Sequence, residues 1–249
     1  MKAPRRVLLL EDDPSICRFV DMALTGLPIE LVEAMSIAQA REQLAQQEFD
    51  LFISDLMLPD GNAMEMFRTL RADRPGSTMR IVVFSAGVSA AARELAAELG
   101  VFRVLDKPVP YRELVACVEQ ALGTAEPLPV EPAVALALAH SLPATQRQRA
   151  IDDHFGGQAA LFDEFFASCL AQLPADIEAG DGACAAHDTG TLRRVAHNLK
   201  SVLQLIGSAE GHAMARELEH AAAQGQPFQA LATGWGRLRA HVTSLCLAD

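Results

Sequence analysis

Four short apolar runs, each leading into polar side chains, constrain the fold of this chain of 249 residues more than any other feature. They are Val7–Leu10 before Glu11-Asp12-Asp13, Leu51–Ile53 before Ser54-Asp55, Ile81–Phe84 before Ser85-Ala86, and Phe102–Leu105 before Lys107-Pro108. A run this short, followed by turn residues such as Pro59-Asp60-Gly61, reads as a buried strand of a parallel sheet. A fifth strand is expected near Ile29–Val32. Helices are expected from Pro14, from Ser36 to Gln47, from Ala63 to Arg71, from Ala90 to Leu99 and from Tyr111 to Leu122, with Gly123 as the stop. Strands alternating with helices predict an α/β doubly wound, five-stranded parallel sheet covered on both faces.

Ligands of such sheets bind at the carboxyl ends of the strands. There the runs deliver the acids Glu11, Asp12 and Asp55, the Ser85 hydroxyl and the Lys107 amine. One acid at a strand end could simply cap the next helix; the convergence of all five groups points to chemistry. Clustered carboxylates repel one another unless a cation lies between them. All-oxygen ligands suit Mg²⁺, which often bridges a carboxylate to a phosphate. A carboxylate can accept a phosphoryl group as an aspartyl-phosphate. An ammonium and a hydroxyl then stabilise the charge on the transferring group.

With these residues in these places, residues 5–123 resemble the receiver domain of bacterial two-component response regulators. The resemblance implies a flavodoxin-like fold with Asp55 as phosphoacceptor. It implies Asp12 as direct Mg²⁺ ligand, Glu11 acting through water and the Met57 backbone carbonyl as a further ligand. Ser85 and Lys107 would bind the phosphoryl oxygens, Lys107-Pro108 would be cis, and Asp13 would be an outward third acid. Receivers usually carry Tyr or Phe three residues before the lysine. Here that residue is Val104, with Phe102 expected on the same side of a regular strand. The departure suggests a receiver that hands phosphate on rather than broadcasting a large change of shape.

Residues 124–145 hold four of the thirteen prolines and read as a tether. Fully extended at ~3.1 Å per residue it would reach on the order of 70 Å. Its stretch Ala133–His140 is the candidate for a short helix. Past Gln146 no strand signal remains. Helices are expected at 146–154, 158–179, 189–207, 209–223 and 228–246, with a kink at Pro174. Gly180-Asp181-Gly182, Gly207 and Gly225-Gln226-Pro227 punctuate them, which predicts an antiparallel bundle. The division is therefore 1–123, 124–145 and 146–249.

Winding residues 189–207 at ~100° per residue puts Leu192, Val195, Leu199, Val202 and Ile206 on one buried stripe. His197 falls on the opposite side among Arg193, Arg194, Lys200, Ser201 and Gln204, exposed and without a carboxylate on its face. A neutral imidazole is a nucleophile near pH 7, its reference pKa being ~6.5. Ala196-His197-Asn198-Leu199-Lys200-Ser201, with Gly207 ten residues beyond the histidine, resembles the signature of histidine-containing phosphotransfer (HPt) domains. That resemblance covers about residues 146–249 and implies a four-helix bundle with His197 as phosphocarrier and Lys200 beside it. Ser201 stands where the family commonly has Gly, and Gln204 where it often has a small residue. His140, His154, His187, His212, His220 and His241 read as surface or helix-end residues.

Charge and composition narrow the function. The net charge of −11 divides into −5 for residues 1–123 and −6 for the rest. Neither half has the basic balance of a nucleic-acid-binding domain. The five cysteines lack metal spacing and read as small apolar residues in a reducing compartment. No apolar stretch is long enough for a signal sequence or a membrane span, so a cytoplasmic protein is expected. No Gly-rich ATP loop stands in a fitting context. The expectation is a phosphorelay carrier resembling the detached tail of a hybrid histidine kinase. Its partners would be a sensor or hybrid histidine kinase and a downstream receiver. The alternative is a switch in which phosphorylated Asp55 controls access to His197, docking or dimerisation without passing its phosphate along the chain.

Overall fold

A computed structural model describes residues 4–74, 76–123 and 143–246. The chain divides into two units, 1–130 and 131–249. The expected tether and its short helix lie outside the described residues, except that the first helix of the second unit begins at Ala144.

The first unit runs β1 (Arg5–Leu10), α1 (Pro14–Leu24), β2 (Ile29–Ala34), α2 (Ile37–Gln46), β3 (Leu51–Ser54), β4 (Met57–Leu58), β5 (Gly61–Asn62), α3 (Ala63–Asp73), β6 (Arg80–Ser85), α4 (Ala90–Glu98), β7 (Arg103–Asp106) and α5 (Tyr111–Leu122). Five strands form one parallel sheet in the order β2-β1-β3-β6-β7. This is a doubly wound order, with β1 and β3 adjacent where the winding reverses. The tiny β4–β5 hairpin, pairing Met57 with Asn62, was not foreseen. Side chains alternate across the sheet. Leu8, Leu10, Phe52, Ile81 and Val83 meet Ala40, Leu44 and Phe67 on one side. Phe52 and Phe67 pack edge to face at 5.7 Å. α1 and α5 pack together, and Ile16, Phe19, Leu114 and Val118 on them are buried.

Caps fix the helices that start beside the strand ends. Asp13 caps α1, accepting from the Ser15 and Ile16 amides at 2.8 and 3.2 Å, and Pro14 starts the helix. Ser36 caps α2 through the Gln39 amide, and Asp60 adds bonds to the Ile37 and Ala38 amides at 3.0 and 2.9 Å. Asp60 is thereby held below the usual carboxylate range: burial pushes it up, and the amides win.

The second unit is helical: α6 (Ala144–His154), α7 (Ala159–Ala185), α8 (Thr189–Leu205), α9 (Ala209–Ala223) and α10 (Phe228–Cys246). α7 packs on α8, α8 on α9, α9 on α10 and α10 back on α7, which closes a four-helix ring; α6 packs on α7 and α8. α7 does not stop at 179, as the glycines suggested, but continues to Ala185. Gly180 is there for contact, not for a turn. A Cβ on it would lie 2.1 Å from the Trp235 indole, which is buried. The indole Nε1–H donates to Asp181 Oδ1 at 2.8 Å. Pro174 lies inside α7 without ending it.

Candidate functional site

The ends of β1, β3, β6 and β7 bring the first group of expected residues together. Asp55 is 1 % exposed at the end of β3. Its Oδ1 accepts from Ser85 Oγ at 2.6 Å and from the Met57 amide at 3.1 Å, as well as from the Leu56 amide. Its Oδ2 accepts from Lys107 Nζ at 2.6 Å. The same ammonium bonds Glu11 Oε2 and stands 4.9 Å from the centre of the Phe84 ring. The Lys107 amide donates to the Ser85 carbonyl at 3.0 Å, and the bond from Lys107 to Pro108 is cis.

The electrostatics follow from burial. Glu11 is pushed well above the ordinary carboxylate value, first by burial and then by Asp55, with Lys107 pulling the other way. Burial alone would discharge Lys107, but Asp55 and Glu11 hold its ammonium charged. Asp13 is raised by burial as well.

Asp13 does not face outward as expected: it is 5 % exposed, with its carboxylate spent on capping α1. Asp12, on the loop between β1 and α1, is partly exposed. Among the described residues no three His, Cys, Asp or Glu side chains are gathered as a preformed metal cluster. Glu11 and Asp55 instead share Lys107. The hard oxygen donors of Glu11, Asp12 and Asp55 nonetheless match Mg²⁺ in kind. Val104 packs against the core, whereas Phe102 precedes β7 and carries Arg80 and Arg103 over its ring at 4.6 and 5.9 Å.

The second group lies on α8, where the expectation about exposure fails. His197 is only 2 % exposed. The stripe of Leu192, Val195, Leu199, Val202 and Ile206 is buried as read, but Ala196, Ser201, Leu203 and Leu205 are buried too. A wheel orders residues about one axis; it cannot show that α9 covers the far side of α8.

That covering helix supplies the residue the sequence reading missed. Glu219 Oε1 accepts from His197 Nδ1 at 2.6 Å, and Glu219 Oε2 accepts from Lys200 Nζ at 2.5 Å. His197 therefore does have a carboxylate neighbour. Burial pushes Glu219 up, but His197 and Lys200 outweigh it and hold the carboxyl down at about 2. An ionised carboxylate only accepts, so Nδ1 carries a proton, and the uncharged tautomer with that proton has its lone pair on Nε2. A signal for Glu219 did exist. His197 lies ten residues before Gly207 and Glu219 twelve after it, so an antiparallel hairpin pairs them. His212 Nδ1 meets the Lys200 carbonyl at 3.1 Å, and His241 Nε2 meets Ser208 Oγ at 2.8 Å. These two histidines tie helices together rather than idling at the surface, while His140 lies outside the described residues.

Residues 7–119 match the family model of the response regulator receiver domain, and residues 164–246 match that of the Hpt domain. The chain contains a receiver domain followed by an Hpt domain. It is 31% identical over 124 residues to the transcriptional regulatory protein GlrR of Escherichia coli K12, covering 50% of this chain and 28% of that protein. It is 29% identical over 223 residues to the sensor protein GacS of Pseudomonas syringae pv. syringae, covering 83% of this chain and 23% of that one. The chain thus spans less than a third of either relative. A solved CheY-like receiver domain protein from Methanospirillum hungatei JF-1 aligns with a TM-score of 0.45 at 22% identity, over 48% of this chain and 94% of that one. Among the described residues no helix is long and apolar enough to cross a membrane.

Proposed function

We propose that this chain is a two-component phosphorelay protein, with a receiver in residues 1–123, a tether in 124–145 and a carrier bundle in 146–249. The observation that carries the reading is Asp55, a buried carboxylate held under both Ser85 Oγ and Lys107 Nζ at 2.6 Å, in a chain that also carries His197 with its Nδ1 bonded to Glu219 and no hydrogen bond on Nε2 among the described residues. The donor is the phosphohistidine of a sensor or hybrid histidine kinase. Its N–P bond breaks, the nitrogen keeping the electron pair, as the Asp55 Oδ–P bond forms. Ser85 and Lys107 hold the equatorial oxygens and offset their charge. In this sense the receiver promotes its own phosphorylation. At the second site the His197 Nε2–P bond forms as the acyl phosphate of a receiver breaks, and Lys200 steadies the group. Mg²⁺ would be held by Asp12, Asp55 and the Met57 carbonyl, with Glu11 through water. It supplies the positive charge that lets a phosphate approach these acids.

The burial of His197 gives weight to a second reading, in which phosphorylated Asp55 governs access to His197. The test is to label the purified chain with acetyl phosphate. Asp55→Asn is expected to lose that label, because an amide is a poor nucleophile; full labelling of the variant refutes Asp55. Label then appearing on His197 supports the relay. Label fixed on Asp55, with a changed rate of transfer between His197 and an added receiver, supports the switch.

A further inference from the structure

Asp60 lies at the tip of the β4–β5 hairpin, in the turn between Leu58 and Gly61. Its carboxylate leaves the hairpin and bonds the first amides of α2: Oδ1 accepts from Ile37 at 3.0 Å and Oδ2 from Ala38 at 2.9 Å. Those amides have no partner inside the helix and favour an anion. Gly61 allows the turn, because its φ of +143° is rarely open to an L side chain. At the base of the same hairpin the Met57 amide donates to Asp55 Oδ1 at 3.1 Å. Met57 lies opposite Asn62, and the flanking bond runs from the Ala63 amide to the Leu56 carbonyl at 3.1 Å. That bond marks Met57 and Asn62 as a pair that exchanges no hydrogen bonds, so the polar groups of Met57 face away from Asn62. The N–H and C=O of one strand residue leave on the same side, so the Met57 carbonyl opens on the side of Asp55.

We propose that Asp60 is a positioning residue of the Asp55 site: by gripping α2 it fixes the hairpin that presents the Met57 carbonyl to Mg²⁺. The inference rests on the reading of Asp12, Asp55 and the Met57 carbonyl as the ligands of the metal. A backbone carbonyl has no rotamer with which to adjust, and Mg²⁺ demands near-ideal octahedral geometry, so the placement of the strand decides whether the oxygen serves. A ladder of two residue pairs is too short to hold that placement by itself. Ser36 caps the same helix through the Gln39 amide at 3.2 Å, but it belongs to the chain entering α2 and not to the hairpin. The two caps therefore separate what the stability of α2 contributes from what the anchored hairpin contributes.

Two measurements on the full chain test this: binding of Mn²⁺, which takes the same carboxylate and carbonyl ligands and is read by electron paramagnetic resonance, and hydrogen exchange of the Met57 amide, read by NMR. Asp60→Ala is expected to weaken Mn²⁺ binding about tenfold, the usual cost when a ligand loses its outer support. It is also expected to speed Met57 exchange about tenfold, as the hairpin opens locally. Asp60→Asn keeps one acceptor oxygen and is expected to fall between; it decides should the alanine variant not fold. Ser36→Ala also costs α2 a cap, but is expected to leave both measures within about twofold of the wild type. Asp60→Ala matching the wild type in either measure overturns the proposal, as does Ser36→Ala loosening both as far as Asp60→Ala. A wild type that binds no Mn²⁺ refutes the metal ligands, and Asp60 then stands or falls on Met57 exchange. Tight binding that survives Asp60→Ala does the reverse: the metal site stands and Asp60 loses its role.

Discussion

Removing the charge of Glu219 has a computable consequence for stability. Its carboxyl is held at about 2 against an ordinary 4.5, by the bonds it accepts from His197 and Lys200. At about 1.4 kcal/mol per tenfold, that gap is worth on the order of 3 kcal/mol, an upper bound for a side chain 15 % exposed. The sign follows from the direction. A folded carboxylate depressed below its unfolded value binds fewer protons, so its contribution is whole above about pH 4.5 and is lost as pH falls towards 2. Roughly 2 kcal/mol of it is gone by pH 3. Glu219→Gln has no such charge to lose. The wild type should therefore be the more stable by about 2–3 kcal/mol at pH 7 and by about 1 kcal/mol at pH 3. The chain's one tryptophan, Trp235, is buried in the same helical unit and reports its unfolding alone. Urea titrations followed by its fluorescence at several pH values give the difference directly. A gap between wild type and variant that stays the same from pH 7 to pH 3 refutes the assignment.

Three other substitutions probe the folds that carry the sites. Gly180→Ala should cost about 3 kcal/mol or more, because the new Cβ would sit inside the Trp235 indole; a variant melting with the wild type and keeping its tryptophan emission contradicts that packing. Asp13→Ala should lose about 1 kcal/mol as a helix cap and leave the magnesium dependence of Asp55 labelling intact, whereas Asp12→Ala should remove that dependence; stability and labelling measured side by side separate the two. Leu199→Ala should cost ~2–5 kcal/mol through a core cavity, and His197→Ala about 1–3 kcal/mol, because Glu219 loses a donor; the same tryptophan-monitored titrations rank them.

Much of the receiver was legible because its signals are local. Leu51–Ser54 is apolar, short and followed by turn residues, so it can be little else but a strand, and its last side chains must emerge where the other strands end. The five groups at that edge follow from the topology alone. What escaped depends on neighbours that sequence spacing does not encode. Asp13 was read by its place in a row of acids, but the first free amides of α1 claim its carboxylate. Gly180 was read as a break because glycine usually ends helices, whereas here it makes room for a ring from α10. His197 was read from one helix, and its environment is made by another.

The two sites are built from the same parts in opposite proportion, and on the proposed relay this predicts where a metal is needed. At the first, one ammonium, Lys107, lies between two carboxylates, Glu11 and Asp55, giving a formal charge of −1 before Asp12 is added. At the second, one carboxylate, Glu219, lies between an imidazole and the Lys200 ammonium, giving a formal charge of zero. A phosphoryl group brings further negative charge to each. On the proposed relay, the first site would need another cation to take it, and the second would have Lys200 to turn from Glu219 towards it. Chelation should therefore abolish labelling of Asp55 but leave the hydrolysis rate of phosphohistidine on His197 unchanged within about twofold. Chain charged on His197 by a labelled partner receiver, then freed of that partner and split between buffer with magnesium and buffer with chelator, gives the comparison. A phosphohistidine lifetime that tracks the metal would mean that His197 draws on a cation other than Lys200, and the charge argument for the second site would fall.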